Sequence, residues 1–183
     1  DIYKKHKFSP AGPEGVAIDR NDQLLVVDNG NDRVQRFSGS GEFLAAFGVK
    51  GNGEGELYRP SGICLDDEGN IFVSDYGNHR VQKFDEDGNW LETIGENVLT
   101  GPRGLKVRKN LLIAADGANG LFFYDLKERF WWKKTFWNGG EFRFANAVDI
   151  AFSPVNDILY AADFDRNTID MFMPAPFKYS DLI

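Results

Sequence analysis

A chain of 183 residues with 42% apolar content is long enough for one well-buried domain, and no linker divides it. A formal charge of −7 argues against a protein that grips phosphate backbones or anionic lipid through excess Lys and Arg, and no run nears the roughly 18 apolar residues of a membrane-spanning helix. The 16 Phe, 4 Trp and 6 Tyr, set among 20 Gly and 7 Pro, favour many short strands separated by turns.

Read in chain order, residues 2–8 ("IYKKHKF") come first and have the look of an isolated strand. A unit beginning at Gly12, "GPEGVAIDRNDQLLVVDNGNDRVQRFSGSGEFLAAFG", follows. Its strands are expected at 16–18, 24–27, 34–37 and 43–47. A second unit, "RPSGICLDDEGNIFVSDYGNHRVQKFDEDGNWLETIG", begins 47 residues later at Arg59 and matches the first almost column by column. A weaker third copy starts at Gly101, and a fourth starts at Ala145 and supplies three strands, ending near Met173. The Asp closing the second apolar run recurs at Asp28, Asp75, Asp116 and Asp163. Helical periodicity is absent. Four antiparallel strands per unit of this length predict an all-β protein, a β-propeller built of four-stranded blades.

The units "GVAID…LLVVDNGNDRVQRF…GEFLAAFG" resemble the NHL repeat, with Asn31-Asp32-Arg33 and Asn78-His79-Arg80 standing at the triplet that names it. The resemblance covers 12–48 and 59–95 best, then 101–137, then 145–174, and it implies a propeller, which in that family usually has six blades. Four are visible here. Two readings of the ring compete. Either residues 2–8 complete the last blade and close a four-bladed ring, or residues 177–183 supply its fourth strand and the chain is an arc of a larger propeller.

Repetition sorts the conspicuous residues. What recurs is what a blade needs; what differs between units is where function can lie. The sequence "DYGNHRVQKF", with Asp75, His79 and Arg80, looks like a proton relay until it is set beside "DNGNDRVQRF". Asp75 and Arg80 then become a charge-assisted brace across a turn, as do Asp28 and Arg33, with Gly30 and Gly77 expected to supply positive φ. His79 is a variable turn residue, since Asp32 stands at its place. Cys64, the only cysteine, excludes an intrachain disulfide and reads as a buried thiol.

The surface expected to bind is the face formed by the loops before each first strand and between the second and third strands. Its variable positions are Glu14, Asn29, Asp32, Ser61, Tyr76, His79, Arg103, Asn119, Asn146, Phe164 and Arg166. That mixture of aromatics, Asn and Arg suits a protein partner better than phosphate. The third unit packs aromatics into its outer strand, and Trp131, Trp132, Phe136 and Trp137 form a second candidate interface.

The leading expectation is therefore a non-enzymatic interaction module or scaffold subunit with a protein partner and no cofactor. The alternative is a metal-assisted hydrolase or lyase of propeller type, holding Ca²⁺ at the channel mouth through Glu14, Asn146 and Asp149, as the resemblance to propeller hydrolases implies. Two histidines, His6 and His79, are too few for the three-His zinc site of the amidating lyase that NHL propellers resemble. Third comes an RNA-binding NHL domain, which the acidity disfavours. The absence of an initiating Met and the family's frequent occurrence in exported proteins point to an extracytoplasmic setting.

Overall fold

A computed structural model describes residues 12–134, 136–137, 140–141, 144–155 and 158–172. Four antiparallel sheets arranged in a ring form the blades of a β-propeller. The first is Pro13–Ile18, Leu24–Asp28, Arg33–Phe37 and Phe43–Phe47. The second is Ile63–Leu65, Ile71–Asp75, Arg80–Phe84 and Trp90–Ile94. Leu105–Arg108, Leu111–Ala115, Leu121–Asp125 and Phe130–Lys134 make the third. The fourth has Ala147–Phe152, Leu159–Asp163 and Thr168–Phe172 among the described residues. The rival closing segments, 2–8 and 177–183, lie outside those residues, as does His6.

The blades stack because each second strand is apolar on both faces. Successive side chains of a strand point to opposite faces, so one strand serves two interfaces. Ile71 and Val73 join Leu25, Val27, Val34 and Leu57 between the first and second blades, whereas Phe72 joins Leu112, Ala114, Phe122 and Tyr124 between the second and third. Ile113 and Phe123 then face Ile150, Leu159 and Ala161 of the fourth. Each fully buried Phe, Leu or Ile here contributes about 1.5–3 kcal/mol, so the three interfaces are the main source of stability. Cys64 lies in the second of them, and burial pushes its thiol pKa up to about 12. The outward faces of the first and fourth blades are more open: Val16, Ile18, Ile169 and Met171 are all exposed.

Close approach of neighbouring first strands accounts for the recurring Pro-x-Gly. A Cβ on Gly62 would lie 2.0 Å from the Arg103 carbonyl oxygen, and Gly15 and Gly104 are approached in the same way by Ser61 and Asp149. The glycines let the inner strands meet backbone to backbone.

Candidate functional site

The face carrying the functional candidates is held by the four recurring aspartates, all buried. Asp75 accepts hydrogen bonds from the Tyr58 N–H at 2.7 Å, Asn78 Nδ2 at 2.8 Å and Arg80 Nε at 2.8 Å. Asp116 accepts from the Thr100 and Gly101 N–H groups, and Asp163 from those of Ala145 and Asn146. Asp75, Asp116 and Asp163 therefore each fasten the segment arriving at their blade to its second strand. Asp28 takes Arg33 Nε at 3.0 Å, together with Asn31 and Gln35. The expected Asp–Arg braces are present in both units.

Their settings differ. Arg80 is nearly fully buried and also donates to the carbonyls of Asn52, Gly53 and Glu56, while the Arg33 side chain is 37% exposed. Burial raises the Asp75 pKa, with the Tyr58, Asn78 and Arg80 hydrogen bonds opposing it. At Asp163 burial also pulls upward, but the N–H groups of Ala145, Asn146 and Arg166 and the Arg166 charge prevail, and the pKa is lowered.

The turn geometry corrects one expectation. Asn29–Asn31 and Tyr76–Asn78 are single 3-10 turns, and the positive φ falls on Asp32 (53°) and His79 (59°), not on Gly30 and Gly77. Asp and His are tolerated there better than branched residues. Gly77 is required for a different reason: a Cβ would lie 2.4 Å from the Tyr58 ring.

Several loop candidates are occupied with bracing. Asn29 Nδ2 donates to the Pro60 carbonyl at 2.9 Å, and Asp32 Oδ1 accepts the Arg59 N–H at 2.7 Å. Ser61 is buried with its N–H on the Ser74 carbonyl, and Asn119 donates to Thr100 Oγ1. Glu14, His79, Phe164 and Arg166 are exposed. The structure brings Tyr76 and Arg103 together, with the guanidinium carbon 4.7 Å from the ring centroid. Arg59, which sequence comparison passed over, joins them at 5.7 Å. Its signal was available: the matching residue of the first unit is Gly12, and both have positive φ. Beside this group Asn78, His79, Glu96, Asn97, Leu99 and Thr100 line an open groove of about 540 Å³.

The proposed calcium ligands do not share equivalent places. Pro13 pairs with Asp28 and Ala147 with Asp163, so Val148 stands where Glu14 does, and Asn146 lies two residues earlier. Asp149 takes the place that Gly15 holds in the first blade, and its Oδ1 accepts the neighbouring Ile150 N–H. Among the described residues no group of three or more His, Cys, Asp and Glu side chains is placed to hold a metal ion. Nor is any helix among them long and apolar enough to cross a membrane.

Trp131, half-buried, packs against the core. Its ring lies 4.7 Å from that of Tyr124 and 6.2 Å from that of Phe122, and it covers the core between the second and third blades. The side chains of Trp132, Phe136 and Trp137 lie outside the described residues.

Comparison with known proteins agrees with this architecture. No curated protein sequence matches the chain. Among solved structures, the computationally designed Ika4 protein is similar at TM-score 0.63 and 12% identity, covering 93% of this chain and 94% of its own. Virginiamycin B lyase from Staphylococcus aureus aligns at TM-score 0.66 and 15% identity over 93% of this chain and 58% of the lyase. A chain of the nidogen/laminin complex aligns at TM-score 0.75 and 18% identity over 89% of this chain and 61% of that one. The chain thus spans about three fifths of these two relatives, and at such identities the likeness is one of fold. The NHL repeat model matches residues 11–37 and 57–84, the turn and strands that carry the Asp–Arg braces. The chain carries two NHL repeats within a β-propeller fold.

Proposed function

We propose that this propeller is a non-enzymatic interaction module that holds a protein partner on its loop face. The observation that carries the reading is the contrast on that face. The backbone is fixed by buried aspartates, while Phe164, 69% exposed, and His79 project from turns with no bracing task. Rigid turns that present an apolar ring limit the ordering cost of binding, and aromatic residues are favoured at interface centres. The fold shared with a chain of the nidogen/laminin complex is in keeping with this reading.

The test is affinity capture from native extract with the tagged chain. Two variants accompany it: His79→Glu with Phe164→Asp on the loop face, and Asp67→Lys with Asp87→Lys on the opposite turns. A partner retained by the wild type and the second variant but lost by the first is the expected result. Equal retention by both variants, or no stoichiometric partner, overturns the reading.

A further inference from the structure

We infer that Arg59, Tyr76 and Arg103 form a recognition site for carboxylates, so that the partner presents an acidic segment; this deepens the loop-face reading and rests on it. Three observations converge. First, among the described residues neither Arg59 nor Arg103 makes an ion pair or side-chain hydrogen bond, in contrast to Arg20, Arg33, Arg80, Arg129 and Arg166, each of which meets a carboxylate. In a chain of net charge −7, two such guanidiniums side by side are a local exception.

Second, their placement is built. Both guanidiniums lie over the Tyr76 ring, and Gly101 packs against its edge, 3.1 Å from an ideal Cβ to Cε2. An aromatic ring under a guanidinium fixes its plane and leaves its N–H edges free for the two oxygens of a carboxylate.

Third, Arg59 sits where the backbone asks for something else. Its φ is +50°, and the equivalent residue of the first unit is glycine at +75°. A left-handed arginine is strained, and it is held by the Asp32 carboxylate on its N–H. That bond engages Asp32 with backbone. The nearest groove carboxylate, Glu96, lies 3.4 Å from Arg80 Nη1. Where the first unit has glycine, the second thus accepts a left-handed backbone and adds a guanidinium beside Tyr76. Nucleic acid fits less well, because the Tyr76 ring is already covered by both guanidiniums and unavailable for base stacking.

The experiment is fluorescence anisotropy of the full chain with three labelled probes: a peptide of ten glutamates, a Gly/Ser peptide of equal length, and oligo-uridylate. The acidic peptide alone should bind, weakening steeply as salt rises. The Arg59→Glu, Arg103→Glu double variant should weaken it about tenfold or more. Arg59→Gly should also weaken binding while the melting temperature stays equal or rises, an outcome that a merely structural role for Arg59 would not give. Peptide affinity unchanged by these substitutions, preference for the RNA, or no binding of the acidic peptide overturns the inference. A native partner lost through His79 and Phe164 but indifferent to both arginines would sink this site alone and leave the module intact.

Discussion

Replacing Arg80 by methionine tests how the same motif comes to carry different weight in two blades. The units read "DNGNDR" and "DYGNHR", and each Arg meets its Asp through Nε at 3.0 and 2.8 Å. Arg80 is 4% exposed, and its removal takes the one cation from the buried Asp75 carboxylate, which keeps the Tyr58 N–H and Asn78, and strips a donor from the carbonyls of Asn52, Gly53 and Glu56. Breaking a buried pair by deleting one partner costs about 3–5 kcal/mol. At Arg33 the side chain is 37% exposed, its one side-chain bond among the described residues is to Asp28, and Asp28 keeps Asn31 and Gln35. Solvent screening reduces that loss to about 1 kcal/mol. With a urea dependence of about 2 kcal/mol per molar, Arg80→Met should lower the unfolding midpoint by about 1.5–2.5 M and Arg33→Met by about 0.5 M. Equal shifts would refute the reasoning, since they would mean that the shared motif and not the burial sets the cost.

Three further outcomes follow from the same geometry. Gly62→Ala should cost about 1–3 kcal/mol by forcing the second and third blades apart, whereas Gly12→Ala, where a Cβ meets nothing within 4 Å, should lose only its backbone preference; chemical denaturation separates them. Asp163→Asn should destabilise at neutral pH, because a carboxylate with a lowered folded pKa adds stability above its unfolded value of about 3.9 and loses it as pH falls through the folded value. The gap to wild type should therefore close below about pH 4, and a gap constant with pH would contradict the assignment. Cys64, with its thiol held near 12, should resist alkylation at pH 8 until the chain unfolds; stoichiometric labelling of native protein would place it elsewhere.

Much of the architecture was legible because a blade repeats. Four recurring aspartates and the continuous apolar run in "IFVSD" marked strands whose two faces are both buried, and the structure puts Ile71 and Phe72 in different interfaces. The glycines misled because composition does not say why a glycine is needed. Gly77 avoids the Tyr58 ring, while the left-handed turn residue is His79. The calcium set misplaced Asn146 because the hairpin between the first two strands is one residue longer in the fourth blade, Phe152 to Leu159 against Ile18 to Leu24, which offsets counting back from the shared Asp. Trp131 stands on an outer strand, where the sequence allows either core packing or an interface, and its long side chain packs against the core between the second and third blades. Arg59 was missed although its place was conspicuous, since its meaning depends on a backbone angle shared with Gly12.

Hydrogen–deuterium exchange of the chain with and without the partner captured from native extract tests the central claim most directly. Slowed exchange at residues 29–32, 58–61, 76–79, 97–103 and 164–167 is the predicted result. Protection confined to the opposite turns, 19–22, 38–41, 66–69 and 85–88, would contradict it.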